Sequence, residues 1–208
     1  MKTLIEERLK GSQPSGDPRR APLTDVHGPV SAELRAMIEG EPLPAAVLVG
    51  LVERPAGLKL VLTERSHGLR DHPGQVSFPG GRIEPRDTGP SATALREAHE
   101  EIGLTPDLVE LAGYLDAYLT VTGFIVTPVV GFVAEDFVPQ LDQTEVREVF
   151  EVPLEFLLDP HNVHMSLRER LGATFKVYEY QFEGHRIWGA TAAMIVGFRE
   201  LIRSKSER

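Results

Sequence analysis

Three glutamates near the middle of the chain have the types and spacing that favour divalent metal chemistry. Glu97, Glu100 and Glu101 lie in the segment SATALREAHEEI, where apolar residues recur at helical spacing. At about 100° per residue, the three acids share an arc of the helix that is roughly 100° wide. Glu97 and Glu101 are one turn apart, so their carboxylates can converge on one small object.

This arrangement costs stability unless something binds the acids. Like charges three or four residues apart oppose each other by a few tenths of a kcal/mol per pair. The acids also crowd the negative end of the helix dipole, at roughly 0.3–1 kcal/mol each. Arg96 relieves Glu100 four residues on, whereas Glu97 and Glu101 have no Lys or Arg one turn away. A divalent cation turns the repulsion into coordination, and oxygen ligands suit Mg²⁺ or Mn²⁺. The alternative is a solvated acidic face.

Glycine and proline delimit this helix. A tight Gly80–Gly81 turn precedes it, and Pro90 is suited to the first helical turn. Thr88 or Ser91 is the predicted N-terminal cap. Gly103 predicts an end in the left-handed conformation.

At these residues the chain resembles a known family. REAHEEIGL, from Arg96 to Leu104, resembles the R-E-U-x-E-E-x-G-U half of the Nudix box, where U is a bulky aliphatic residue and Ala98 is a small version of it. The upstream half departs from the common pattern, because Asp87 stands where Glu is usual and its spacing to Arg96 is one residue longer. The resemblance implies a Nudix fold and hydrolysis of a nucleoside diphosphate linked to another moiety.

A second segment narrows the resemblance. LTERSHGLRDHPGQVSFPGG, from Leu62 to Gly81, resembles the coenzyme A pyrophosphatase branch of the family. That branch implies 3′,5′-ADP and 4′-phosphopantetheine as products. A Nudix enzyme for ADP-ribose or a dinucleotide is the first alternative. A catalytically silent module that senses a nucleotide or binds a partner is the second, although such a module need not retain acids that destabilise a helix. No G-x-x-x-x-G-K-[ST] motif indicates a P-loop.

The metal hypothesis assigns a role to each acid of the box. Glu97 and Glu101 bind Mg²⁺ or Mn²⁺, and Glu100 shares a second ion or a water on the metal. A backbone carbonyl near Gly81 completes the site. Water then attacks phosphorus without a covalent enzyme intermediate. Nudix enzymes often take a further carboxylate from a downstream loop as ligand or base, and Glu145 is the preferred candidate here; a solvated helix start is the alternative interpretation of its acidic surroundings.

Other residues are predicted to bind substrate or to shape the motif. Arg65, Arg70 and Arg82 are candidates for gripping phosphate, because a guanidinium offers paired donors to phosphate oxygens. Ordinary surface arginine is the alternative for each. The residues with structural roles in the motif are Asp87 and Arg96, which are expected to pair, together with Gly80 and Gly103.

Composition excludes several classes of function. The 208 residues include no cysteine, which removes disulfides, thiolate zinc sites and cysteine nucleophiles. A formal net charge of −9 disfavours nucleic acid and anionic lipid as partners. No apolar run approaches the length of a membrane span, and the charged N-terminus is unlike a secretion signal. We expect a cytoplasmic enzyme that acts on a small-molecule substrate, and a homodimer is possible.

The elements around the motif predict an α/β fold. The Nudix resemblance implies an α/β/α sandwich with a mixed sheet and a loop–helix–loop catalytic motif. Residues 1–43 are predicted to be a partly helical, loosely packed extension, 44–203 the catalytic domain and 204–208 a tail. Strands are predicted at 45–54, 58–65, 75–78, 112–119, 124–134 and 175–184, the fifth bulged or at an edge because it contains Pro128. Residues 186–188 are predicted to continue the last strand as a hairpin. A short helix is predicted at 153–158 and an amphipathic helix at 189–202, with Trp188 as a core anchor.

Overall fold

A computed structural model describes residues 1–14, 25–40, 42–69 and 71–204. The helices in this part of the chain are α1 (Lys2–Leu9), α2 (Ala32–Glu39), α3 (Pro90–Ile102), α4 (Leu154–Leu158) and α5 (Ala190–Arg203). The strands are β1 (Val26–His27), β2 (Leu43–Arg54), β3 (Gly57–Arg65), β4 (Val76–Ser77), β5 (Gly80–Arg82), β6 (Val109–Tyr114), β7 (Tyr118–Leu119), β8 (Phe124–Val133), β9 (Val146–Pro153), β10 (Val163–Arg170), β11 (Ala173–Phe182) and β12 (His185–Trp188). None of the described helices is long and apolar enough to span a bilayer.

The larger sheet is mixed and supports the site. Its strand order is β4-β3-β2-β8-β6, with β5 pairing β2, β7 pairing β8 and β9 pairing β3. The central pair β2 and β8 is parallel, whereas β2 runs antiparallel to β3 and β5. Because side chains alternate along a strand, β2 buries residues on both faces. Ala46, Leu48 and Val52 pack with α3, and Val49 and Leu51 pack on the opposite side with α5. Helices therefore cover both faces, as predicted.

The smaller sheet contains β1, β10, β11 and β12. The predicted hairpin corresponds to β11 and β12, but β10 was not predicted. Its apolar residues alternate with polar ones only from Val163 to Leu167, and the strand is exposed along nearly its whole length. Trp188 is only half-buried under the guanidinium of Arg186, whose Cζ lies 4.8 Å from the indole centroid. The prediction of a core anchor at Trp188 was wrong, and the neighbouring Ile187 is the fully buried residue.

The N-terminal segment is packed more closely than predicted. Ile5 and Leu9 of α1 are fully buried in the core that α5 also lines. The hydroxyl of Ser12 accepts a hydrogen bond from the Tyr114 amide at 2.9 Å. Leu34 of α2 is buried as well. A loosely packed arm is therefore the wrong description of α1 and α2, because each hides an apolar stripe; the boundary at residue 43 stays a prediction.

Pro128 does not lie on an edge strand, because β8 is flanked by β2 and by β6 with β7. Its carbonyl accepts from the Leu115 amide at 3.0 Å, in the stretch where the chain passes from β6 to β7. The missing N–H of the proline would point to that same side. The interior proline is tolerated because the ladder is already interrupted there.

The acid-rich run before residue 151 forms a strand rather than a helix start. Residues 143–145 form a turn, and β9 begins at Val146 and pairs antiparallel with β3. Val146 and Val152 are buried while Arg147 and Glu148 are exposed. The sequence pattern was ambiguous because charged residues occupy most of the positions between the apolar ones.

Candidate metal centre

Helix α3 carries the acids of the motif, and its ends follow from local residue types. Pro90 occupies the first turn, and Gly103 ends the helix at φ 70°, as predicted. Gly103 donates its N–H to the carbonyl of His99 at 3.0 Å. Neither Thr88 nor Ser91 caps the helix; Gly89 is the N-cap residue and no side chain accepts there.

Glu101 is the most buried acid of the helix. Its side chain lies under the Gly80 turn and accepts a hydrogen bond from the Gly80 N–H at 3.3 Å. Only 5% of the residue is exposed. Burial, followed by the charge of Glu97, raises the pKa of Glu101 to about 8, and the charge of Arg65 opposes that rise. An anion at this position therefore needs a positive partner.

Glu97 faces the same turn one helical turn earlier. A Cβ atom added to Gly81 would overlap the Glu97 carboxylate, so only glycine permits this close approach. Burial raises the pKa of Glu97, while the guanidinium of Arg96 opposes the rise. Arg96 donates to Glu97 Oε1 at 2.8 Å. Sequence reasoning missed this contact because it considered only residues one turn apart.

Glu100 lies outside this buried pair. Its side chain is 49% exposed and contacts two arginines, Arg96 at 2.9 Å and Arg86 at 3.3 Å. Arg86 was not predicted to contact the motif. Because both partners are cationic, Glu100 is already neutralised by the protein's own residues.

Asp87 and Arg96 connect the loop to the helix. Two nitrogens of Arg96 donate to the two oxygens of Asp87, each at 3.0 Å. Thr93 and the Glu84 amide also donate to Asp87. The bond from Arg96 holds the pKa of Asp87 well below its usual range. Only 4% of the Asp87 side chain is exposed, so this is a buried ion pair that fixes the loop on α3.

The predicted phosphate-binding arginines lie in different surroundings. Arg65 is partly buried at the end of β3, its charge acts on Glu101, and its Nε is buried without a partner among the described residues. Arg82 is exposed and lies over the Phe124 ring, with Cζ 5.2 Å from the centroid. Arg70 lies outside the described residues.

Glu145 approaches the centre from the turn before β9. Its carbonyl accepts from the Ser66 amide at 2.8 Å, and its side chain is exposed. Burial and closer charges are the larger causes of the raised pKa values of Glu97 and Glu101. The negative charge of Glu145 raises both pKa values further. The structure thus brings a third carboxylate within electrostatic range of the buried pair.

The donor set at the turn fits a divalent cation. Glu97 and Glu101 supply carboxylate oxygens, and burial makes their charge unfavourable unless a cation is present. Gly81 has no side chain, so the Glu97 carboxylate can lie directly against the turn. Oxygen donors alone suit Mg²⁺ or Mn²⁺.

A second group of ligand-type side chains lies on the opposite face of β3. Oxygen and nitrogen atoms of Glu64, Glu148 and His185 come within 4.8 Å of one another. Arg147 already contacts Glu64 at 2.6 Å, and His185 stacks on Phe150 with ring centroids 3.8 Å apart. Sequence reasoning missed this group because its members come from three distant strands.

Comparisons with known proteins agree on one family. A family model described as NUDIX domain matches residues 42–173. A relative from Enterobacter sp. (strain 638), described as Uncharacterized Nudix hydrolase NudL, is 42% identical over 151 residues, 73% of this chain and 78% of the relative. A relative of the same description from Shigella flexneri serotype 5b (strain 8401) is 42% identical over 165 residues, 78% of this chain and 85% of the relative.

Solved structures are similar to this chain over part of its length. An Ap4A hydrolase binary complex from C. elegans superposes with a TM-score of 0.47 and 19% identity, covering 53% of this chain and 80% of that one. A MutT protein from Methanosarcina mazei Go1 gives a TM-score of 0.45 and 25% identity, covering 57% and 83%.

Proposed function

The chain belongs to the Nudix family, and we propose that this Nudix hydrolase cleaves the pyrophosphate of coenzyme A or an acyl derivative. The products are 3′,5′-ADP and 4′-phosphopantetheine or its acyl form. One observation carries the proposal. The segment from Leu62 to Gly81, which resembles the coenzyme A branch, ends in the turn that contacts both Glu97 and Glu101. The segment that resembles the coenzyme A branch is therefore continuous with the residues that would hold the metal.

Nudix hydrolases generally need a divalent metal ion, and this chain offers a defined place for one. Glu97 and Glu101 would hold Mg²⁺ or Mn²⁺, with Glu100 and the carbonyl of Gly81 as further ligands. When bound, the ion neutralises charge on the pyrophosphate and lowers the pKa of water. The burial of Glu101 supports its role as a ligand, because a buried carboxylate gains most from a cation.

The remaining roles belong to the chain's own side chains. Glu145, exposed beside the buried acids, takes the proton of the attacking water, and Glu100 is the second catalytic carboxylate. Arg65, Arg70 and Arg82 contact the phosphates. Because the chain has a net charge of −9, an anionic substrate requires such local cations. The buried, unpartnered Nε of Arg65 supports its role, since a phosphate oxygen would satisfy it.

The cellular setting follows from composition. We infer a cytoplasmic enzyme of a small-molecule substrate, without nucleic acid or membrane as partner, from the absence of cysteine and the acidic charge.

A competition assay tests this function. The protein is incubated with Mg²⁺ or Mn²⁺ and a mixture of coenzyme A, an acyl derivative, ADP-ribose and NADH, and products are identified by mass. We expect coenzyme A and its derivative to be consumed first. Glu101→Gln should raise the activation free energy by several kcal/mol and so lower turnover about 100-fold or more.

Two outcomes contradict the proposal separately. Selective loss of ADP-ribose would refute the substrate while leaving a Nudix hydrolase. Turnover by Glu101→Gln near the wild-type rate at saturating Mg²⁺ would refute the metal assignment. Glu183→Gln, which removes an exposed carboxylate from the turn between β11 and β12, is the matched control and should retain full activity.

A further inference from the structure

Strand β10 forms a free edge of the smaller sheet. It pairs with β11 over its full length, and no other strand in the described part of the chain pairs with its outer side. Every residue from His164 to Arg170 is exposed. An unpaired edge is a template for another strand, and proteins usually keep such edges short or protect them. An open edge of eight residues is therefore a candidate site for pairing with another strand.

The hairpin turn determines which backbone groups point outward. Leu171 and Gly172 connect β10 to β11 with φ values of 50° and 63°, the signature of a two-residue hairpin turn with both φ positive. The register partners Arg170 and Ala173 close that turn as a hydrogen-bonded pair. Bonded and non-bonded pairs alternate from there, so even-numbered residues of β10 bond to β11. The residues that direct their N–H and C=O groups outward are Val163, Met165, Leu167 and Glu169.

Hydrogen bonds on the far side of β11 agree with this assignment. The Lys176 N–H donates to the Asp25 carbonyl at 2.7 Å, and the Tyr178 carbonyl accepts from the Gly189 N–H at 3.1 Å. Even-numbered residues of β11 thus direct their backbone N–H and C=O groups away from β10, as the geometry of the hairpin turn requires.

The outward-bonding residues also carry the apolar surface of the strand. Met165 and Leu167 are 53% and 49% exposed and lie on one face, two positions apart. Met165 is the register partner of Tyr178, so the apolar surface continues onto β11.

We propose that β10 pairs antiparallel with β10 of a second copy of this chain, about a two-fold axis at Ser166. The two smaller sheets then form one continuous sheet. This register uses all four outward-bonding residues of each copy. It places Met165 of each copy opposite Leu167 of the other, so the pair occurs twice. A shift in either direction leaves one of the four unpaired, and one of the two shifts sets Met165 against Glu169.

Charge and symmetry favour a second copy as the occupant. In the proposed register Glu169 lies opposite Val163 of the second copy, so like charges do not meet on the apolar face. Each copy has a net charge of −9, which opposes association in general. β10 itself carries Arg168 and Arg170 against the single acid Glu169, so this edge does not share the negative charge of the chain as a whole. Two-fold pairing of identical surfaces is also the commonest mode of protein assembly. A contact made by one strand is small, so we expect a dissociation constant on the order of micromolar.

Single-cysteine variants test the register, because the chain has no cysteine. Ser166→Cys places two thiols opposite each other in a non-hydrogen-bonded pair, with Cα atoms about 4.5 Å apart. That spacing lies within the range of a disulfide, about 4.4–6.8 Å. His164→Cys is the matched control, exposed on the same face of β10 but about 13 Å from its copy.

We expect Ser166→Cys to form covalent dimers about 10-fold faster or more than His164→Cys under mild oxidation, because pairing raises the local thiol concentration. Light scattering on the wild type should show the mass rising toward two chains with concentration. The double substitution Met165→Lys with Leu167→Lys should keep the mass at one chain and slow the cross-linking of Ser166→Cys. Equal cross-linking rates, or a wild type that stays at one chain at millimolar concentration, would overturn the proposal. Hydrolase activity of all variants checks that they fold.

Discussion

Glu97, Glu100 and Glu101 occupy three unlike environments although they lie within five positions of one helix. Glu101 is buried under the Gly80 turn, Glu97 is mostly buried beside Gly81, and Glu100 is exposed between two arginines. The spacing of the acids predicted a shared arc. It did not predict this division, because the division depends on a turn that the sheet, and not the helix, holds in place.

The raised pKa of Glu101 predicts how stability depends on pH in the absence of divalent metal. The carboxyl has a pKa of 4.5 as a free group and about 8 in the folded protein, so the folded state binds its proton more tightly than the unfolded state does. Between these values the free energy of unfolding falls as pH rises, by up to about 1.4 kcal/mol per pH unit from this group.

Glu101→Gln isolates that contribution. We expect the wild type to lose stability relative to Glu101→Gln between pH 5 and pH 8, measured by urea denaturation in a chelator. Millimolar Mg²⁺ should reverse the loss at pH 8 in the wild type only, because the ion binds the folded carboxylate. Parallel pH profiles of the two proteins would contradict the burial of an ionisable Glu101.

At the scale of elements, the residues that favour helix ends predicted the bounds of α3 well. Pro90 and Gly103 gave the bounds of α3 because each favours a backbone conformation that needs no distant partner. The prediction of a cap at Thr88 or Ser91 failed, because Gly89 takes the N-cap position. The Thr93 hydroxyl and the Arg96 guanidinium instead bond to Asp87 and fix the loop on the helix. Strands β9 and β10 were missed because charged residues are interspersed with the apolar ones in both segments, and β9 depends on pairing with the distant β3.

Gly103 offers a test of one of these elements. Alanine in the left-handed region costs roughly 1–2 kcal/mol. At Gly103 an added Cβ would also lie 2.8 Å from the Gln140 Cβ, whereas at Gly184, φ 88°, nothing lies within 4 Å. We therefore expect Gly103→Ala to destabilise the protein more than Gly184→Ala, measured by thermal unfolding. Equal losses would mean that only backbone strain matters at the end of α3.

At the scale of the whole molecule, composition and family resemblance predicted a mixed sheet between helices, and the sheet and its core have that form. They did not predict that the first helix completes the core. MKTLIEERLK is a charged amphipathic segment, and its apolar residues pack against β6 and α5, which lie about 100 positions or more away along the chain. A sequence pattern shows which face of a helix or strand is apolar, but it does not show which other element packs against that face.

Leu9 decides whether α1 is part of the domain. Leu9 is 2% exposed and packs in the core, so Leu9→Ala should lower the free energy of unfolding by about 2–5 kcal/mol. Leu43→Ala is the matched control, because Leu43 is 48% exposed and an exposed leucine loses little on truncation. Denaturant unfolding of both variants measures the difference. Similar small losses at the two positions would support the loosely packed arm, whereas a large loss at Leu9 alone means that α1 is part of the folded core and that removing residues 1–14 would destabilise the domain.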